Sequence, residues 1–118
     1  MEKEPWLDET ALEKLYALGG EELVGKMIRL FLENVPKRIA AATNGEKSGD
    51  LRVVEQAAHS IQSSAGNLGA SRLLATAVDL ERAAGKQQAE QVSALLPRLQ
   101  QTFEQVKSYL EEKKEKKP

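Results

Sequence analysis

The chain has 118 residues, of which 41% are hydrophobic and 30% charged, the composition of one ordinary globular domain and not of a disordered segment. It has no cysteine, which excludes a disulfide framework and a thiolate metal site. Its 17 basic and 18 acidic residues leave a formal charge of −1, with no general attraction to nucleic acid or to an anionic membrane. The longest apolar run, Leu73 to Val78 with Thr76 inside it, falls far short of the ~20 residues of a membrane span. The opening MEKEPWLDE lacks the apolar centre of a signal peptide, so a cytoplasmic location is expected.

No stretch alternates apolar and polar residues, and prolines and glycines fall mostly at segment ends, so the expected class is all-α. A short first helix is predicted from about Leu7 to Leu18, capped by Asp8 and stopped by Gly19-Gly20, with Trp6 packing over one end. A second begins near Glu21, where Glu21 and Glu22 suit the positive end of the helix dipole. Val24, Met27, Phe31, Val35 and Ile39 form its core stripe, and Pro36 bends it without ending it. NGEKSGD, from Asn44 to Asp50, reads as a loop that ends on Asp50, the N-cap of a third helix.

The third helix spaces Leu51, Val54, Ala58, Ile61, Ala65 and Leu68 by three or four, and Gly66 and Gly69 mark its end. The fourth, about Ala70 to Ala84, uses Leu73, Ala77, Leu80 and Ala84 and is stopped by Gly85. The fifth runs from about Gln88 to Glu112 and aligns Val92, Leu95, Leu99, Phe103, Val106 and Leu110. Pro97 either kinks it or splits off its first turns. The domain is thus expected to span 1–112, with 113–118 a charged, frayed tail. No internal repeat suggests a solenoid. Four long helices joined by short connections predict an antiparallel up-down-up-down four-helix bundle with a short extra N-terminal helix, closed on itself as a monomer.

The single histidine lies in AHSIQSSAGNLGA, among Ser60, Ser63, Ser64 and Gly66. At 100° per residue, His59 points about 130° away from the apolar stripe of the third helix and is predicted to be exposed. Arg52, Glu55, Ser63 and Gly66, at −7, −4, +4 and +7, share its side, and Gln62 flanks it towards the core. Ser63, Ser64, Gly66 and Gly69 all weaken a helix relative to alanine, so the low floor beside the ring reads as clearance for a partner approaching closely. An exposed neutral imidazole is a competent nucleophile that can carry a group on one ring nitrogen. One histidine without cysteine or H-E-x-x-H spacing gives no metal site, and neither a Gly-rich phosphate loop nor a Ser/His/acid set is present. An enzyme in the ordinary sense is not indicated.

These residues carry a resemblance. AHSIQSSAGNLGA is similar to the phosphoacceptor motif of histidine-containing phosphotransfer (HPt) domains, approximately A-H-x-L-K-G-[SA]-[AS]-x-x-[LIV]-G-A. The likeness extends through GGEELVGKMIRLFLENVPKRI, SGDLRVVEQAAHS and LLATAVDLERAA, roughly residues 7 to 112. The resemblance implies a phosphorelay intermediate in two-component signal transduction. His59 would accept a phosphoryl group from a receiver-domain aspartyl phosphate and pass it to another receiver. It also implies response-regulator receiver domains or a hybrid sensor histidine kinase as partners, with Mg²⁺ only on the receiver and no cofactor of the chain's own. Gln62, Ser63, Gly66 and Glu55 would form the phosphate environment and docking face, extended by Met27, Ile28 or their neighbours. Two positions depart from the motif: Gln62 stands where the family has lysine, and Ser63 where it has glycine. The loss of lysine leaves two other readings, a pseudo-module that binds a receiver without carrying phosphate and a purely structural bundle.

Overall fold

The computed structural model describes residues 8–115; Trp6, Leu7 and the last three tail residues lie outside them. The described residues form four α-helices and no strand: α1 (Glu9–Lys47), α2 (Leu51–Leu68), α3 (Ser71–Gly85) and α4 (Ala89–Glu115). α1 packs on α2 and α4, α2 on α3, and α3 on α4, which closes the expected four-helix bundle. The core is wholly apolar, with no buried polar or charged residue among those described. Every position of the stripes expected in α2, α3 and α4 lies in it. Phe31 of α1 and Phe103 of α4 meet across it with ring centroids 5.7 Å apart, tilted by 38°.

The first and second predicted helices are joined into α1, and the junction is a kink at Gly20, whose φ of 68° and ψ of −161° are open only to glycine. The expected stop is therefore a bend. Before it, the short arm is capped by Asp8, which accepts from the Thr10 N–H at 2.9 Å, and is pinned by Leu12 in the core. The arm starts against the α2–α3 turn, where the Asp8 N–H donates to the Gly69 carbonyl at 2.6 Å. Helical dihedrals continue through Pro36, whose ring is exposed.

Two further boundaries differ from expectation, and a third is closed by an unexpected residue. Asn44 to Lys47 are helical, because α1 ends in a Schellman motif around Gly49 (φ 78°): Gly49 N–H bonds the Glu46 carbonyl and Asp50 N–H the Gly45 carbonyl. Gly45 itself is buried against Val53, where a Cβ would approach to 3.0 Å. α3 ends at Gly85, as expected, but glycine is not the residue that turns the chain. Gln87, at φ 58°, closes the same type of motif onto Ala84 and Ala83. α4 runs unbroken through Pro97 and extends to Glu115, past the expected end at Glu112. α2 matches its expected bounds, with Asp50 accepting from Val53 N–H at 3.3 Å and Gly69 at φ 70° ending it.

In α1 the buried face is Val24, Ile28, Phe31, Val35 and Ile39. Ile28, expected on the docking face, belongs to the core at 9% exposure, and Met27, expected in the stripe, is only half-buried. On a 100° wheel Ile28 sits near the centre of that stripe and Met27 about 75° to its side, which is the physical reason for the exchange.

Candidate functional site

His59 is the ninth residue of α2 and projects from the middle of the bundle's side, where α2 faces α3. Its side chain is 70% exposed, as the wheel requires. Both helices bury small residues in the core, Ala58 and Ala65 on α2 and Ala77 and Ala84 on α3. Small side chains let two helices approach closely, which brings side chains at the edges of both stripes within reach of each other.

Two such edge residues are Gln62 on α2 and Glu81 on α3, each about 70° from the centre of its own apolar stripe and each half-buried. Gln62 Nε2 donates a hydrogen bond to Glu81 Oε1. The other oxygen, Oε2, lies 3.1 Å from His59 Nδ1. Glu81 is thus held from two sides by α2. The open groove around the ring is lined by Arg52, Glu55, Gln56, His59, Ser60 and Glu81. Glu55 leans towards the C-terminus of α3, where a Cβ on Gly85 would come within 3.1 Å of its Oε2.

Ser63 and Gly66 are exposed one and two turns beyond His59, on its side of the helix. A Cβ on Gly66 would meet nothing within 4 Å, so nothing inside the fold demands a glycine there. Further along, a shallow depression of mixed polar and apolar character between α1 and α2 is lined by Met27, Leu30, Asn34, Ser64 and Asn67, with Leu30 rather than Ile28 as its exposed aliphatic residue.

The structure therefore gathers His59, Glu55 and Arg52 around one groove, joins Gln62 to it through Glu81, and sets Ser63 and Gly66 beside it. Glu81 itself, and the flanking Gln56 and Ser60, were not singled out from the sequence. An acid at the edge of a stripe can face either neighbouring helix, and only the order of helices around the bundle decides which. Among the described residues no three potential metal-ligating side chains converge, and no helix is long and apolar enough to cross a membrane.

Residues 26–109 match the family model of the Hpt domain, so this chain belongs to the Hpt domain family. Members of that family are phosphotransfer carriers in phosphorelays rather than enzymes in the ordinary sense, and their partners are receiver domains. Among solved structures, the fold is similar to histidine-containing phosphotransfer protein B (HptB) from Pseudomonas aeruginosa PAO1. The TM-score is 0.91 at 21% identity, covering 98% of this chain and 100% of that one. It is also similar to the histidine-containing phosphotransfer protein ZmHP2 from maize, with a TM-score of 0.82 at 17% identity over 90% of this chain and 80% of that one. No curated protein gives a significant match.

Proposed function

We propose that this chain is a phosphorelay carrier that accepts a phosphoryl group on His59 from the aspartyl phosphate of a receiver domain and hands it to a second receiver. The donor receiver is free-standing or part of a hybrid sensor histidine kinase. The observation that carries this reading is the single, 70% exposed imidazole within the segment matched to the Hpt family, with only the small Ser63 and Gly66 beyond it on the open side of its helix. In-line transfer between two folded domains needs that clearance, because the phosphorus must come within bonding reach of the ring nitrogen while both backbones stay folded.

The step is a displacement at phosphorus: a bond forms from an imidazole nitrogen to phosphorus, and the bond to the aspartyl oxygen breaks with its electron pair staying on that carboxylate. The receiver supplies the aspartate, a lysine and Mg²⁺ to neutralise the transferring group; the carrier supplies the nucleophile and the docking face, and acts as a cytoplasmic monomer. Ser63 and Gly66 are the floor over which the receiver approaches, and Met27 and Leu30 extend the apolar contact. Gln62 brings no positive charge and is engaged with Glu81, so slower transfer or a narrower choice of receiver follows. That same residue favours the second reading, a receiver-binding module without phosphate.

A two-receiver relay separates them. Radiolabelled phosphate loaded on one purified receiver, with Mg²⁺ present, is expected to reach a second receiver only when the chain is added, and His59→Gln is expected to stop it. Receivers that bind the chain but pass no label to it or through it would establish the module instead.

A further inference from the structure

We infer that Arg52 is the cation that holds the phosphoryl oxygens once His59 carries the group. The inference rests on the carrier reading for the presence of that group. A phosphoryl group brings roughly two negative charges to the ring. The groove already holds two carboxylates, Glu55 and Glu81, the latter 3.1 Å from His59 Nδ1. Gln62 offers an amide without charge, and that amide is engaged with Glu81. Among the residues that line the groove, Arg52 is the one permanent cation.

Placement and freedom both suit Arg52 to this. It lies seven residues before His59 on α2, a rotation of roughly 700° that ends about 20° short of two full turns, so both side chains leave the same side of the helix. It is exposed and makes no ion pair or hydrogen bond with another described residue, so its guanidinium can swing along the helix. The path between the two is clear. Glu55, which lies between them on this side, turns towards α3, where its Oε2 is 3.1 Å from the place that a Cβ on Gly85 would take. The missing side chain at position 85 leaves the carboxylate room to stand aside.

The Cα atoms of Arg52 and His59 are about 10.5 Å apart along the axis. Side chains on a helix lean towards its N-terminus, so the His59 ring leans towards Arg52, and a phosphoryl group on the ring shortens the remaining gap. The guanidinium presents a planar fork of donors that takes two phosphoryl oxygens at once, through charge-assisted bonds about twice as strong as neutral ones. In the transfer, the lone pair of the unprotonated ring nitrogen forms the bond to phosphorus. The bond from phosphorus to the donor atom breaks, and its pair leaves on that atom. Arg52 exchanges no proton and meets the oxygens as their charge arrives. On an exposed surface the gain is screened by solvent and salt, which limits its size.

The test follows the guanidinium and the rate together. The ¹⁵N-labelled chain is treated with phosphoramidate, a small donor that needs no docking surface and whose phosphorus–nitrogen bond breaks to release ammonia. Arg52→Ala and Arg52→Lys are treated in parallel. The native chain is expected to show one arginine Nε–H resonance, absent from both variants, that moves when His59 is phosphorylated. Arg52→Ala is expected to take up phosphate about tenfold more slowly at low salt, and Arg52→Lys to recover part of the rate. The gap between the native chain and Arg52→Ala is expected to narrow at high salt, which a merely structural role for the side chain would not produce. An Arg52 resonance that stays in place on phosphorylation, or a rate unchanged in Arg52→Ala, overturns the inference and leaves the carrier reading standing. A native chain that takes phosphate neither from phosphoramidate nor from a phosphorylated receiver overturns the carrier reading, and the role of Arg52 with it.

Discussion

At the scale of single residues, the site is a low-cost surface feature laid on a finished fold. His59 is exposed and makes one surface contact, of a kind that contributes little to folding, so His59→Gln should change the unfolding free energy by no more than about 0.5 kcal/mol. Gly66 is more telling. It stands within α2 with open space where a Cβ would go, so Gly66→Ala should stabilise the bundle by about 0.5–1 kcal/mol in urea unfolding. Destabilisation would mean that the fold, and not a partner's approach, requires the glycine. The facing of His59 was legible in the sequence because one helix's periodicity determines it. The Glu81 contact was not, because it depends on which helix lies beside α3 and on how closely the two approach.

At the scale of elements, the helices were legible and several of their ends were not. Apolar stripes at three- and four-residue spacing gave α2, α3 and α4 with their buried faces, since that spacing is itself the geometry of burial. Ends depend instead on single residues that leave the helical region. Gly49 and Gly69 do so as glycines are expected to, but α3 is closed by Gln87, and no composition signal marks a glutamine at positive φ. The two kinds of end should respond oppositely to substitution. Gly69→Ala forces a side chain into φ 70° and to within 2.8 Å of Asp8 and Ala11, and should cost about 2 kcal/mol or more. Gln87→Gly removes a left-handed penalty and should leave stability unchanged or raise it by up to about 1 kcal/mol. Paired urea curves of the two variants check both; equal effects would contradict the assignment of the turns. In NGEKSGD the glycines suggest a loop throughout, yet only Ser48 to Asp50 leave the helix, and Gly45 is a helical residue packed closely against Val53.

At the scale of the whole molecule, the bundle separates stability from chemistry. All buried side chains among the described residues are apolar, and the polar set of His59, Gln62 and Glu81 lies on the outside of the α2–α3 seam. The helices hold that set at a fixed spacing and contribute no cleft, which suits a domain whose reaction is completed by another folded domain. The antiparallel order of the helices was readable from their number and short connections. The union of the N-terminal helix with the next one into a kinked α1 was not, because Gly19-Gly20 is as compatible with a bend as with a break.

The most direct measurement of the central claim is the intact mass of the chain after incubation with a phosphorylated receiver domain and Mg²⁺, with His59→Gln treated in parallel. The expected result is an acid-labile gain of about 80 Da on the native chain and none on the variant. A folded native chain that binds the receiver and gains no mass, or an equal gain on His59→Gln, would contradict the account.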